Sequence, residues 1–460
     1  MAKIGLLPLY VALYDVSSPE LRPVVDEFRQ EIVNLLKEQG NEVLCSKICC
    51  VEKDFKEAVE TFEKENVDAI VSVHLAYSPS LESCYVLSKT KLPIIMLDTT
   101  PDYLFDISVE SGKLMNNHGI HGVQDLSCML KRLGKEYSIF AGHYKNSNVI
   151  KNVSDAVKTI VSANALKNGV KVGMIGKKFE GMGDFVVSDD ELKNFGITKV
   201  YCNEDELLSN YESVLEEDVK KEFEKDKAVC EMQNISYDFY KETERVGLAV
   251  RKWVSDNNLD GFSMNFESAG EMKGFPTMPF SEASKAMANG KGYAGEGDIL
   301  TAGVCAALVK EFPNTSFCEM FCPDWQNGTI FISHMGEFNL SLMDNVHMIE
   351  KDFVFSKGFN PTCMMGHTKG GKACYLNISP NASGSFDMIF SDVEMVSLPK
   401  SIGSFDNAIS GWFKPNTELE KFLAKFSELG GTHHSILVYG VDANILKEFA
   451  KALNLKYTII

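Results

Sequence analysis

The sequence predicts an α/β protein with a doubly wound N-terminal domain, a second α/β domain and a β-rich, barrel-like C-terminal domain. Short apolar runs alternate with amphipathic helical segments in the first third of the chain, and this alternation starts again near residue 170. Between residues 327 and 414, short β-like runs are separated by Gly, Pro, Asn and Ser. The 460 residues are enough for three domains, which we expect at 1–168, 169–312 and 313–460.

The first domain is predicted from its strand and helix patterns. Residues 4–9 are apolar, and a helix follows in which apolar residues recur every three or four positions until Gly40. The same patterns predict strands at 42–45, 69–73 and 93–97 and a helix at 55–65. In a parallel sheet, functional loops lie at the carboxyl ends of the strands. The residues that fall there are Tyr14, His74 and Asp98.

The second and third domains follow from the same periodicities. A helix at 154–168 and a strand at 170–175 open the second domain, and charged sequence from 204 to about 254 predicts helix. A strand is expected at 261–266 before the β-rich region begins. The chain then ends with a predicted strand, helix and strand at 435–439, 443–453 and 456–460.

Composition narrows the possible partners and the compartment. The chain carries 46 basic and 64 acidic side chains, a net charge of −18, so its average surface repels nucleic acids and anionic membranes. No apolar stretch approaches the roughly 20 residues of a membrane span, and we expect a cytoplasmic protein. The 12 cysteines are scattered without paired C-x2-C spacing, which favours free, reduced thiols.

Ionisable residues stand at the edges of several apolar or glycine-rich segments. Glu296 lies in a run containing three glycines, and Glu319 interrupts an apolar run. His334 ends an apolar strand, and His433 and His434 follow a Gly-Gly-Thr sequence directly before another. Such positions are candidates for a functional site, because burial perturbs the pKa values of ionisable groups.

Each of these residues also has a structural interpretation. Glu319 could pair with a buried arginine or face solvent on an edge strand, and His334 could be a hydrogen-bonded residue at a strand end. His433 and His434 could cap a helix or lie in a loop. Taken together, however, two carboxylates and two imidazoles suit a divalent ion such as Mn²⁺, with open positions for substrate oxygens.

The candidate segments resemble, in the same order, motifs of the L-arabinose isomerases. The segment at 292–298, followed by Thr301 and Ala302, is similar to their G-[YF]-x-A-G-E-G-D-x-x-T-A motif. The segments at 315–319, 333–335 and 430–434 resemble their T-S-F-x-E, S-H-M and G-G-x-H-H motifs. Weaker similarities extend over nearly the whole chain, at Tyr14, 74–79, 117–122, 141–143 and 266–267.

The resemblance implies a metal-dependent aldose–ketose isomerase that works through an enediol. Its implied metal ligands are Glu296, Glu319, His334 and His434, and the two glutamates are also the implied acid/base pair. The implied cofactor is Mn²⁺, or another divalent cation such as Mg²⁺ or Co²⁺, and the implied partner is a small sugar. Substrate contacts are implied for Tyr14, His118, His121, Met182, Phe266 and His433. The first three are expected to reach a neighbouring subunit's site, in a homotrimer or homohexamer.

Departures from the family pattern concern the sugar more than the reaction. The sequence after Glu319 differs from the family's acidic-aromatic run, His118 replaces a glutamine, and a glutamine expected near Tyr14 is missing. L-fucose isomerases share the fold and the metal chemistry, so a six-carbon or deoxy sugar is a possible substrate. Two alternatives stay open: a metal-dependent epimerase or aldolase that uses the same enediolate chemistry, and a non-catalytic sugar-binding protein.

Overall fold

The computed structural model describes residues 1–355 and 358–460, and these residues form two compact units. The first unit spans Met1–Val161 and the second Ser162–Ile460. No helix in the described ranges combines the length and the apolar character that a bilayer span requires. All twelve cysteines fall within those ranges and are free thiols, as the sequence predicts.

The first unit is built on a parallel sheet with helices between its strands. Its strand order is β2-β1-β3-β4-β5, which is the predicted doubly wound arrangement. In chain order its elements are β1 (Lys3–Leu9), α1 (Ala12–Ser17), α2 (Leu21–Glu38), β2 (Glu42–Cys45), α3 (Glu52–Lys64), β3 (Ala69–His74), α4 (Cys84–Lys89), β4 (Ile94–Asp98), α5 (Leu114–Asn117), α6 (Gly119–Arg132), β5 (Ser138–Ala141) and α7 (Val149–Asn168), which continues into the second unit.

The apolar periodicity of α2 explains how this unit closes its core. The buried residues of the helix recur at the expected spacing and form one stripe: Val25, Phe28, Ile32, Val33 and Leu36. The three central strands, β1, β3 and β4, are almost entirely buried, as expected for a parallel sheet covered by helices, whereas the edge strands β2 and β5 are partly exposed. His74 and Asp98 end β3 and β4, and Tyr14 lies in the helix after β1, so all three fall at the predicted edge of the sheet.

The second unit begins with another parallel sheet, in the order β10-β9-β6-β7. Its elements up to residue 309 are β6 (Val170–Ile175), α8 (Asp189–Phe195), β7 (Ile197–Tyr201), α9 (Glu204–Ser213), α10 (Glu216–Val229), β8 (Glu231–Met232), α11 (Tyr237–Asp256), β9 (Gly261–Met264), α12 (Phe266–Ala269), α13 (Phe280–Ala288), β10 (Gly292–Gly295) and α14 (Ile299–Val309). The charged sequence from 204 to about 254 is mostly helical, as predicted, and forms α9, α10 and α11. The short strand β8 lies between the last two helices, where Met232 pairs with Met348 of a distant strand.

The C-terminal part of this unit is the predicted barrel. Its elements are β11 (Thr315–Asp324), β12 (Thr329–Ser333), β13 (Met343–Glu350), β14 (Thr362–Thr368), β15 (Gly371–Pro380), β16 (Phe386–Met395), β17 (Ile409–Pro415), α15 (Leu419–Glu428), β18 (His434–Tyr439), α16 (Ala443–Ala452) and β19 (Lys456–Ile459). Antiparallel pairing runs β16-β15-β18-β11-β12-β17, and β17 pairs back with β16. That last pairing closes the ring of strands.

Helix α14 connects the two sheets of the second unit. All of its residues are buried, because it packs against β6, β9 and β10 of the parallel sheet and against β11 and β18 of the barrel. A helix that is apolar all round is expected in such a position. Its first residues therefore lie where the carboxyl ends of the parallel strands meet the barrel.

Candidate metal and active site

Glu296 lies in the tight turn between β10 and α14. Its φ angle is +61°, in the left-handed region, and that of Gly297 is +85°. Left-handed backbone is unfavourable for a residue with a side chain, so the turn holds this carboxylate at a conformational cost. Glu296 is only 7% exposed. The turn thus fixes one nearly buried carboxylate beside the barrel.

Glu319 and His434 face each other across neighbouring barrel strands. In the register of β11 and β18, Glu319 is directly opposite His434, so both side chains lie on the same face of the sheet. His334 follows β12, the strand on the other side of β11, and its Nε2 is 3.9 Å from Oε2 of Glu319. The antiparallel register therefore gathers three of the candidate ligands from three separate segments.

The fourth candidate ligand joins the group through His434. Its Nε2 is 3.5 Å from Oε2 of Glu296. One ligand atom from each of Glu319, His334 and His434 lies within 4.8 Å of the others, and the same is true of Glu296, His433 and His434. The four residues that the sequence singles out as metal ligands thus form one cluster.

A carboxylate holds the Nδ1 atom of each of the two buried histidines of the cluster, His334 and His434. Nδ1 of His334 is 2.7 Å from Oε2 of Glu337, and Nδ1 of His434 is 3.0 Å from Oδ2 of Asp298. Glu337 also accepts hydrogen bonds from Tyr293 and from the backbone of Gly336. Carboxylates in this position fix the ring orientation of metal-binding histidines and leave Nε2 to face the ion.

The donor set fits a divalent cation. Nε2 of His334 and Nε2 of His434 are buried, and neither has a hydrogen-bond partner in the described ranges. Leaving such atoms unpaired is costly unless a ligand satisfies them. Nε2 of His334 is 3.9 Å from Glu319, and Nε2 of His434 is 3.5 Å from Glu296. These separations suit an ion with bonds of about 2.0 to 2.3 Å. Two imidazoles and two carboxylates are ligands that Mn²⁺ and related ions accept.

The two glutamates have opposite electrostatic environments. Burial opposes the ionisation of Glu296, but His433 and His434 outweigh it and lower its pKa to about 2. Burial raises the pKa of Glu319, and the nearby imidazoles of His334 and His434 offset this only in part. The surroundings of Glu296 therefore favour its ionised form, and those of Glu319 favour its protonated form.

His433 occupies the more open side of the cluster. Its Nε2 is 3.6 Å from Oε2 of Glu296, and its Nδ1 is 2.6 Å from Oδ2 of Asp184, which also accepts its backbone N–H at 3.0 Å. Burial alone would lower the pKa of His433, but the bond to Asp184 and the proximity of Glu296 raise it to about 10. The helix-capping interpretation of the histidine pair is thus wrong, because both rings face the carboxylates.

The sequence interpretation misses Glu337 and Asp184. Glu337 lies three residues after His334, so a search for a nearby carboxylate partner could have found it. Asp184 is 249 residues from His433 and belongs to an irregular loop, so no local spacing indicates the contact. Asp298 stands in the glycine-rich segment, but only the structure shows its bond to His434.

The other expected substrate contacts of the second unit are Met182 and Phe266. Met182 lies in the loop between β6 and α8, half-buried and two residues before Asp184. Phe266 starts α12, and its ring centroid is 5.5 Å from that of Phe179 in the same loop. Both residues thus belong to or border the loop that supplies Asp184.

Tyr14, His118 and His121 form their own cluster in the first unit. The Tyr14 hydroxyl is 3.1 Å from Nε2 of His118, and the rings of His118 and His121 are 5.3 Å apart. His118 is at the N-cap position of α6, but its side chain makes no capping hydrogen bond. Burial and the neighbouring His121 lower the pKa of His118. The side chain of His118 therefore does not cap α6.

Comparisons with known proteins agree with this arrangement. A family model described as the L-arabinose isomerase central domain matches residues 182–312, and one described as the L-arabinose isomerase C-terminal domain matches residues 314–456. An L-arabinose isomerase from Pediococcus pentosaceus is 25% identical, covering 75% of this chain and 74% of that protein. One from Shouchella clausii is 23% identical over 87% of this chain and 84% of its own length. One from Leuconostoc mesenteroides is 23% identical, with 96% of each chain covered.

The two matched segments contain all five candidate residues at the metal cluster. They are consecutive and together cover more than half of the 460 residues. Full-length relatives of the same description extend the similarity into the first unit. The chain therefore belongs to the L-arabinose isomerase family, a family of intramolecular oxidoreductases that interconvert aldoses and ketoses.

Proposed function

We propose that the protein is a divalent-metal-dependent isomerase that converts a free aldose, similar to L-arabinose or L-fucose, into its ketose through an enediol. The observation that carries the proposal is the convergence of two glutamates and two histidines whose buried Nε2 atoms have no partner in the described part of the chain. A non-catalytic sugar-binding protein has no need of such a donor set, and family membership favours an enzyme.

The metal would be held by Glu296, Glu319, His334 and His434, with Asp298 and Glu337 orienting the two imidazoles. Mn²⁺ is the proposed ion, and Mg²⁺ or Co²⁺ are accepted alternatives of similar coordination. When bound, a divalent ion supplies Lewis acidity, which polarises the sugar carbonyl and favours the negative charge that develops on oxygen.

Glu319 is the proposed base and acid. Its raised pKa lets its carboxylate take the proton from C2 of the aldose and return it to C1. Glu296 is the proposed second member of the acid/base pair, and the neighbouring His433 and His434 favour its ionised form. The reaction needs no external reductant, because the proton lost from C2 is matched by one added to C1, and the hydroxyl proton lost from O2 is matched by one added to O1.

Substrate contacts are proposed from both units. His433, Met182 and Phe266 would contact the sugar from the second unit. Tyr14, His118 and His121 would complete the site of a neighbouring subunit in a homotrimer or homohexamer. The support is that these three residues form one cluster in which His121 is exposed. We also propose that the protein works in the cytoplasm, where free aldoses and divalent ions are both present.

The test is a panel of aldoses incubated with protein that has been stripped by a chelator and reloaded with Mn²⁺. We expect ¹³C NMR to show one ketose accumulating, with no product from the stripped protein. Glu319→Gln should lower turnover about 10²- to 10⁴-fold, whereas Glu394→Gln, an exposed carboxylate of the barrel, should leave it unchanged. An epimeric aldose or a cleaved sugar would favour the epimerase or aldolase alternative, and no conversion across the panel would contradict the proposal.

A further inference from the structure

The loop between β6 and α8 contacts both His433 and His434. Oδ2 of Asp184 accepts two hydrogen bonds from His433, one from its backbone N–H at 3.0 Å and one from Nδ1 at 2.6 Å. The next residue, Phe185, is buried and stacks on the ring of His434, with centroids 4.8 Å apart and an angle of 10° between the planes. Two consecutive loop residues therefore hold two consecutive histidines.

The pair formed by His433 and Asp184 differs from the other two carboxylate–histidine pairs in its exposure. The side chains of His434 and Asp298 are 0% exposed, whereas those of His433 and Asp184 are 30% and 38% exposed. A sealed pair suits a ligand that never leaves a metal ion. A pair that is open to solvent suits contact with a substrate that enters and leaves.

The double hydrogen bond determines where His433 points. With its backbone and its Nδ1 both held by one oxygen, the ring cannot turn over, and its Nε2 stays on the side of Glu296. An imidazole fixed in this way loses little conformational freedom when it bonds to a ligand. The buried ring of Phe185 in turn fixes the backbone that carries Asp184.

We propose that Asp184 is a positioning residue that fixes His433 for contact with the sugar, so that the loop between β6 and α8 sets substrate affinity. This inference rests on the proposed function of the site. Met182, two residues earlier, and Phe179, which contacts Phe266, belong to the same loop. The loop therefore contains or contacts each residue of the second unit that we expect to touch the sugar, namely Met182, Phe266 and His433.

The experiment compares Asp184→Asn and Asp184→Ala with the wild-type protein in its Mn²⁺-loaded form. We expect KM to rise about tenfold for Ala and less for Asn, which keeps one acceptor oxygen, while the Kd for Mn²⁺ stays within about threefold. Asp298→Asn, the matched change in a buried pair, should instead weaken Mn²⁺ binding about 10- to 100-fold. Asp190→Asn, an exposed carboxylate on α8, should change neither quantity.

A second measurement does not depend on turnover. In ¹⁵N NMR of the metal-free protein, the hydrogen-bonded Nδ1 proton of His433 should be visible in the wild type and lost in Asp184→Ala. Unchanged KM together with an unchanged His433 signal would overturn the proposal. A loss of Mn²⁺ affinity as large as that of Asp298→Asn would also overturn it, because Asp184 would then support the metal. Absence of isomerase activity in the wild type would count against the proposed function, while the NMR signal and the Mn²⁺ affinity would still test Asp184.

Discussion

Gly295 makes room for a histidine beside the strained turn of Glu296. A Cβ atom at this position would lie 2.6 Å from Cε1 and 2.9 Å from Nε2 of His334. Atoms cannot approach so closely, so any side chain here would push the imidazole out of the cluster. Position 295 therefore requires glycine, because the imidazole of His334 occupies the space of a side chain.

Gly295→Ala should therefore weaken divalent metal binding without unfolding the protein. We expect the Kd for Mn²⁺ to rise about 10- to 100-fold, as for other changes that misplace a metal-binding histidine. Competition with a chelator measures the effect. Gly112→Ala is the control, because nothing lies within 4 Å of a Cβ built there, and wild-type affinity in Gly295→Ala would contradict the steric argument.

His74 is a buried imidazole outside the metal cluster. Both ring nitrogens are without hydrogen-bond partners in the described ranges, and Nδ1 would be 2.3 Å from a Cβ at Gly122. Burial lowers its pKa from 6.5 to about 3. The folded protein therefore holds His74 in its neutral form. The stability that this group confers is present above pH 6.5 and is lost as the pH falls towards 3, because the unfolded chain takes up the proton first.

His74→Leu should make the first unit less sensitive to acid. Two pH units below 6.5, at pH 4.5, the unfolded wild type gains about 2 to 3 kcal/mol by protonating this residue, and leucine cannot be protonated. Calorimetry at pH 7 and pH 4.5 should show a smaller drop in Tm for the variant than for the wild type. His121→Leu, which removes an exposed imidazole of the same unit, should keep the wild-type drop.

Residue identity and order single out the four residues that the structure brings into one cluster. Glutamate and histidine at the ends of buried strands are rare without a reason, so Glu296, Glu319, His334 and His434 stand out from the sequence. The residues that orient them do not stand out. Asp184 is one acidic residue among many in this chain, so the sequence does not mark it as functional. Only its contact with the distant His433 indicates a role.

Helices α10, α11 and α13 are joined by a buried cluster of charges. Nζ of Lys285 on α13 lies 2.7 Å from Asp226 and 3.3 Å from Glu222 on α10, and 3.1 Å from Glu244 on α11. Arg251 bridges Glu222 and Glu282. Charges removed from water in this way must all be paired, so the cluster fixes how the three helices align.

Lys285→Met should destabilise the second unit by about 3 to 5 kcal/mol, because three buried carboxylates lose their shared cation. Lys225→Met is the matched control. Its Nζ is 3.1 Å from the same Glu222, but the lysine side chain is 70% exposed, against 6% for Lys285. The control should cost under about 1 kcal/mol. Thermal unfolding at pH 7 measures both, and equal losses would contradict the role given to burial.

Elements with a local signal are predicted well, and those made by distant pairing are not. Strands β1, β3 and β4 and helices α2 and α3 of the first unit follow from periodicity, since each of these strands is almost entirely buried and each of these helices buries one face. Strand β8 has two residues and depends on the pairing of Met232 with Met348, so the surrounding charged sequence predicts helix without indicating this strand. The barrel strands are visible as β-like runs, but their register, which brings Glu319 opposite His434, is not.

At the scale of the whole molecule, the sequence predicts two kinds of sheet and a barrel-like C-terminal domain, but not which strands close the barrel. The pairing of β17 with β16 turns a row of strands into a barrel, and no local pattern specifies it. The division into three domains, and the sharing of sites between subunits, stay predictions. The latter can be tested with two variants that are each inactive.

His121→Ala and Glu319→Gln should complement each other if sites are shared between subunits. In a fully exchanged mixture, roughly a quarter of the sites combine an intact first unit with an intact second unit. We expect aldose conversion to reappear in the mixture and to be absent from either variant alone. Mass spectrometry of differently labelled subunits verifies the exchange, and no recovery after verified exchange would mean that each site is built within one chain.

Asp298 ties the metal cluster to the start of a buried helix. Its Oδ1 caps α14 by accepting the backbone N–H of Thr301 at 2.9 Å, and its Oδ2 faces Nδ1 of His434 at 3.0 Å. An ion bound at Nε2 of His434 would strengthen the hydrogen bond between Nδ1 and Asp298 and would so hold the carboxyl group over the helix start. Amide hydrogen–deuterium exchange at Thr301 should slow when Mn²⁺ binds, whereas exchange at Leu308, at the far end of α14, should not change. Amide exchange in the first turn of α14 would therefore report whether the site holds an ion, and it can be measured without any sugar.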